Sequence, residues 1–249
     1  MEAQTISLNV HPQIIDLYEV LEKNGLHKQK EDVQSLVGYI ESMEYNLSVM
    51  MNEIQEMHTE VNRLHDKGIR AQCAKIVSKV EDKVQQAKTM VSVAKCKMIQ
   101  SAGNAVKAFQ EKGKFALVQA VQAMRIPSVL SCMKSGFSHA AQSVRQYAEK
   151  LDGLREQIHE AGGYVKNARR ALSGKAPAES TKLQANKGLL AKVRNGLESF
   201  STALSKMECG ADRLLGKIQS EKEPGELKQS VKSEPVSYTH LTLPTKRIV

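Results

Sequence analysis

The chain has 249 residues, with 36 Lys and Arg against 27 Asp and Glu, a formal net charge of +9. Four Phe, six Tyr and no Trp, with only 15 Gly and 6 Pro, leave too few rings, strand formers and turn residues for a sandwich, a barrel or a doubly wound sheet. The expected class is all-α: an elongated coiled coil or folded-back long-helix bundle.

Charge is unevenly spread. Residues 1–68 carry 5 basic and 12 acidic side chains, whereas residues 69–176 carry 19 and 7. An acidic front and a basic middle attract each other within one chain or between antiparallel chains over roughly 8 Å at physiological salt.

The first element, within residues 1–27, is a short helix starting near Pro12 with Ile14, Ile15, Leu17, Tyr18 and Leu21 on one face. Proline suits a helix start. Asn24-Gly25 ends the helix, and Leu26 is placed as the apolar residue of its C-terminal cap.

Residues 28–68 hold an uninterrupted heptad pattern. Val33, Ile40, Leu47, Ile54 and Val61 fall at a, and Leu36, Met43, Met50, Met57 and Leu64 at d. Branched residues at a with unbranched or γ-branched ones at d favour a two-stranded parallel coiled coil. Such pairing would set Glu53 against His58, and Glu60 against His65, of a second copy. These ten seam residues cannot stay in water, so a covering helix is required, from this molecule or another.

Gly68 interrupts the seam. Residues 69–126 continue as a basic amphipathic segment whose stripe (Ile69, Cys73, Ile76, Val80, Val84, Ala87, Val91, Ala94 and Met98) is flanked by Arg70, Lys75, Lys79, Lys83, Lys88, Lys95 and Lys97. These seven cations are the candidate polyanion-binding residues, since phosphate contacts by Lys and Arg supply salt-dependent affinity for nucleic acid. Gly103 and Gly113 weaken the helix, and the Ile126-Pro127 step disfavours helical geometry, so a bend is expected there.

Residues 127–172 form a second heptad helix, with Leu130, Phe137, Val144, Leu151, Ile158, Val165 and Leu172 at a and Met133, Ala140, Tyr147, Leu154, Ala161 and Ala168 at d. Gly162-Gly163 is a point of bending. Residues 173–187, with Gly174 and Pro177, read as a linker. Residues 188–219 give a third heptad helix: Leu190, Leu197, Leu204, Ala211 and Ile218 at a, Val193, Phe200, Met207 and Leu214 at d. Residues 220–235 are rich in Lys, Glu, Pro and Ser and are expected to be disordered. Within residues 236–249, the string VSYTHLTLPT (236–245) resembles a translated sequencing adapter, so the natural sequence is expected to leave this chain near residue 235.

No chemical signature emerges. Glu156-Gln-Ile-His159 has the spacing of half a two-metal carboxylate site, but no second copy accompanies it. Cys132 and His139 stand seven residues apart, which is helical spacing rather than a nucleophile and its base. Dinucleotide, P-loop, zincin and hydrolase-elbow motifs are all missing. Catalytic residues, cofactor and metal are each expected to be none, with no small-molecule substrate. Cysteines 73, 96, 132 and 209 are expected to be reduced and half-buried. The most apolar stretch, Phe115 to Phe137, is broken by Gln119, Gln122, Arg125, Pro127 and Lys134, so no membrane span is expected, and with no leader at the N-terminus the expected location is cytoplasmic.

The strings HPQIIDLYEVLEKNGL (11–26) and YVKNARRALSGK (164–175) resemble uncharacterised helical proteins of Gram-positive gut bacteria, encoded within conjugative or other mobile elements. That resemblance implies an accessory role in a mobile element and supplies no catalytic residues. The reading of the residues is a non-enzymatic coiled-coil scaffold that associates with itself or with another helical protein. The second reading is a helical binder of DNA or anionic lipid through residues 69–134.

Overall fold

The computed structural model describes residues 7–177 and 188–220. The expected disordered segment, the adapter-like string and most of the linker lie outside the described residues. Those described are 92% helical, with four long helices and no strand.

A single 3-10 turn, Leu8–Val10, precedes five helices: α1 (Pro12–Lys23), α2 (His27–Asn62), α3 (Lys67–Ala123), α4 (Ile126–Leu172) and α5 (Leu189–Ser220). Helix α1 begins at Pro12 and ends before Gly25, whose φ of 69° lets the Leu26 amide donate back to the Leu21 carbonyl at 2.9 Å. Helix α2 stops at Asn62, and α3 starts where the Asp66 carboxylate accepts a hydrogen bond from the Ile69 amide at 2.9 Å.

Neighbouring helices run antiparallel. Lys95 of α3 meets Glu44 of α2, and His58 of α2 meets Glu81 of α3. Lys134 and Asp152 of α4 meet Asp212 and Arg194 of α5, at opposite ends of that pair. Helix α5 returns against α2, where the Tyr39 hydroxyl donates to the Met207 carbonyl at 2.6 Å. With α3 packed on α4, the four long helices close an up-down-up-down bundle, and α1 lies across α3 and α2.

The α3-α4 reversal is not where sequence places it. Lys79 sits over the Tyr147 ring, and Met90 packs on Gly136. Both pairs are centred on residue 113. A turn at residues 124–125 would leave α3 more than 30 Å longer than the α4 segment facing it, at about 1.5 Å per residue. The chain instead doubles back at Gly113, which breaks the helix with φ 76° and ψ −165°. Pro127 merely opens α4, following the left-handed Arg125 (φ 49°). The break expected at Ile126-Pro127 is present, between Ala123 and Ile126, but the fold-back lies at Gly113: proline in a first helical turn costs no hydrogen bond, whereas this glycine conformation is nearly closed to other residues.

The core is one continuous cluster drawn from all five helices. Val33, Leu36, Ile40, Leu47, Ile54 and Val61 are at most 1% exposed, and Met43, Met50 and Met57 are buried with them. Leu64, past the end of α2, is half-buried. The seam is therefore covered by the chain's own α3 and α5, and no second copy is needed to sheath it. His58, expected opposite Glu53 of another molecule, has its Nε2 2.9 Å from Glu81 of the same chain, and Glu60 pairs with Arg63 at 3.0 Å. The parallel-dimer pairing is corrected accordingly. In α3 the stripe falls at Val77 rather than Ile76, and in α4 at Ala148 rather than Tyr147.

Candidate functional site

Burial along α4 changes abruptly. Leu130, Phe137, Val144 and Leu151 are fully buried. Leu154 and Ile158 are half-buried, and Val165 and Leu172 are 62% and 89% exposed, with Tyr164 beside them at 75%. The cause is helix length. The Asp152–Arg194 pair sets the start of α5 near residue 157 of α4, and the Lys79–Tyr147 contact sets the start of α3 near residue 159. Beyond that level no other described helix runs beside α4. Residues 159–172 continue about 20 Å past that level, carrying the heptad stripe beyond the other described helices.

Gly162 and Gly163 lie within the projection, and a Cβ on either would meet nothing within 4 Å. They do not bend the helix, which continues to Leu172. At its end, Arg170 Nε donates to the Ala176 carbonyl at 2.8 Å, closing the last turn.

The seven candidate polyanion-binding cations do not share one open face. Lys95 is only 7% exposed and holds Glu44 at 2.7 Å, an acidic-to-basic contact within one chain. Lys79 is spent on the Tyr147 ring, 5.9 Å from its centroid. Arg70, Lys83 and Lys88 are half-buried, and Lys75 and Lys97 are exposed. Lys83 donates to Gln86 at 3.3 Å.

A groove of about 570 Å³ lies between α2 and α5, lined by Glu53, Glu56, Glu60, Arg63 and Lys192 among others. Its charges are mixed, and no metal-holding group of His, Cys, Asp or Glu occurs among the described residues. All four cysteines are free thiols. Cys73 is buried, its thiol pushed up to about 11 by that burial, whereas Cys96, Cys132 and Cys209 are exposed rather than half-buried as expected. Cys132 and His139 are about 10 Å apart along α4 by helical rise, too far for a nucleophile and its base.

One 18-residue window inside Lys67–Leu172 reaches a mean hydropathy of 1.3, enough by length and composition for a membrane span, with 28% of it buried. This departs from the sequence expectation because scattered glutamines and a single arginine are outweighed once averaged with Val, Leu and Ala. Amphipathic helices of packed cores reach such values too.

The sequence pointed to Val165 and Leu172 as seam residues but not to their exposure. The signal was available: 173–187 reads as a linker, and a linker starting there carries the end of α4 beyond the start of α5 if α5 starts late. No curated protein and no solved structure matches the chain. Over residues 10–241, reaching six residues into the adapter-like string, the chain matches the family of unknown function DUF6674, and it belongs to that family.

Proposed function

We propose that the chain is a non-enzymatic helical interaction module whose docking element is the projecting end of α4. One observation carries the reading: a heptad stripe fully buried through Leu151 continues, in register, to Val165 and Leu172 at 62% and 89% exposure. Exposed apolar side chains on a rigid helix cost solubility and mark contact surfaces. A groove-free projecting helix suits helix-on-helix docking rather than turnover of a small molecule. The segment 164–175, one of two strings behind the resemblance to mobile-element proteins, overlaps residues 164–172 of this projection. A cytoplasmic accessory role in such an element accords with that likeness.

The test replaces Tyr164 with a photo-crosslinking residue, in purified protein and in producing cells. The expected result is a protein adduct that disappears when Val165→Asp and Leu172→Asp are added. An adduct unaffected by these changes, or none in either setting, would contradict the reading.

A second reading rests on Lys75, Lys83 and Lys97, of which Lys83 and Lys97 border the crevices between α3 and α4. Binding of duplex DNA or anionic vesicles through these residues would weaken steeply with salt. Retention of that binding with the projection mutated would favour it over the first reading.

A further inference from the structure

We propose that the crevice between α3 and the start of α4, bordered by Lys97 and Arg125, is a binding site for a small phosphorylated molecule. The phosphoryl group lies between the two cations, and the rest of the ligand lies on the apolar floor beneath them. The site is separate from the projecting end of α4 and does not depend on the docking reading.

The crevice follows from the course of the chain. About the reversal at Gly113, Ser101 falls level with Arg125, and Lys97 level with Val129. At this height the returning helix is interrupted between Ala123 and Ile126, and Arg125 takes a left-handed conformation. Beside the interruption lies a cavity of about 340 Å³, within the span of small-molecule sites, about 300–1,000 Å³. Its floor is apolar, made by the buried side chains of Leu36, Ala94, Met98 and Met124. Its rim is polar, with Lys97, Gln100 and Ser101 from α3, and Arg125 and Ser128 from the start of α4.

The charge of the rim is uncompensated. No carboxylate lines the crevice. From Lys83 to Ala148 the chain has a single acidic residue, Glu111, about 20 Å along α3 from Lys97 by helical rise. On α2, Glu41 and Glu44 are committed to Asn9 and Lys95. Neither Lys97 nor Arg125 has an ion-pair partner among the described residues. Two like charges at one opening repel each other until an anion lies between them. A phosphoryl group brings more charge and more acceptor oxygens than a carboxylate, and the ammonium, guanidinium, hydroxyls and amide of the rim can all donate to it. The helix end adds little: Pro127 has no amide hydrogen, and the Ser128 and Val129 amides already donate to the Arg125 carbonyl at 2.8 and 3.1 Å. A nucleic-acid backbone or a membrane surface would meet the rim and leave the floor uncovered, so the floor favours a small ligand with an apolar part.

Phenyl phosphate is the probe, titrated into the purified full chain in phosphate-free buffer at fixed ionic strength and followed by amide chemical shifts. Saturable binding is expected, tighter than for inorganic phosphate or phenol, with the shifts concentrated around Ser101 and Ser128. Lys97→Gln and Arg125→Gln should each weaken it at least tenfold, whereas Lys75→Gln, about 33 Å away along α3 by helical rise, should leave it unchanged. Both rim cations are exposed, so circular dichroism and the thermal midpoint should not move in either variant. Absence of saturable binding, equal binding by all three variants, or phenol and inorganic phosphate binding as tightly as phenyl phosphate would overturn the proposal. Flotation with vesicles containing phosphatidic acid separates the sources of the group: flotation lost in Lys97→Gln, with no binding of phenyl phosphate, would overturn it in favour of a lipid surface.

Discussion

Glu41 ties the N-terminal turn to α2. Burial pushes its carboxyl upward, but hydrogen bonds from the Ser7 hydroxyl, the Asn9 amides and the Leu8 backbone outweigh this, holding its pKa below the usual carboxylate range. The Asn9 backbone amide donates to it at 3.0 Å. Because the folded value is the lower one, this contribution is complete above the unfolded carboxylate range and is lost as pH falls through the folded value. Glu41→Gln should therefore lower the thermal midpoint at about pH 6, and the gap from the parent should shrink on acidification below about pH 4. A gap constant over that range would remove the carboxylate from the account. Tyr39 shows a different residue-scale constraint. Burial raises its phenol strongly, its hydroxyl is fixed on the Met207 carbonyl, and a Cβ at Gly210 would meet its ring at 3.0 Å. Gly210 is thus part of the α2-α5 contact, a role the heptad letters do not reveal.

The reversal within α3 carries a prediction at the scale of the element. Gly113 has φ 76° and ψ −165°, and nothing lies within 4 Å of a Cβ placed there. Gly113→Ala should thus act through backbone strain alone, lowering stability by about 1–3 kcal/mol. Pro127→Ala, in the first turn of α4, should change stability by less than about 1 kcal/mol. Chemical denaturation of both variants checks this; the reverse order would move the hairpin to Pro127. The comparison also shows what was readable in advance. Val33, Leu47, Ile54, Leu197 and Leu204 were legible because a repeat of three and four forces one face, and all are buried. Which glycine turns the chain was not legible. Gly103 and Gly113 look alike in sequence, yet Gly103 lies in continuous helix with the Gln13 side chain 3.0 Å from its Cβ position, while Gly113 takes a positive φ. Only the facing residues of the partner helix distinguish them.

At the scale of the molecule, the heptad pattern defined what had to be buried but not by which chain. A parallel dimer and an antiparallel bundle bury the same a and d positions. The difference lies in charged neighbours, where Lys95 reaches Glu44 and His58 reaches Glu81 within one chain, and in the short connection 63–66, which returns α3 on α2. Unequal helix lengths then leave the end of α4 outside. Both the enclosed ridge of α2 and the open end of α4 thus follow from one arrangement. Amide hydrogen exchange resolved by segment, at a concentration where the chain is monomeric, tests it most directly. The account predicts strong protection of residues 33–61, unchanged by further dilution, and exchange at least about a hundredfold faster in residues 162–172. Protection of residues 33–61 that falls away on dilution would contradict it, because the ridge would then be covered by a second molecule.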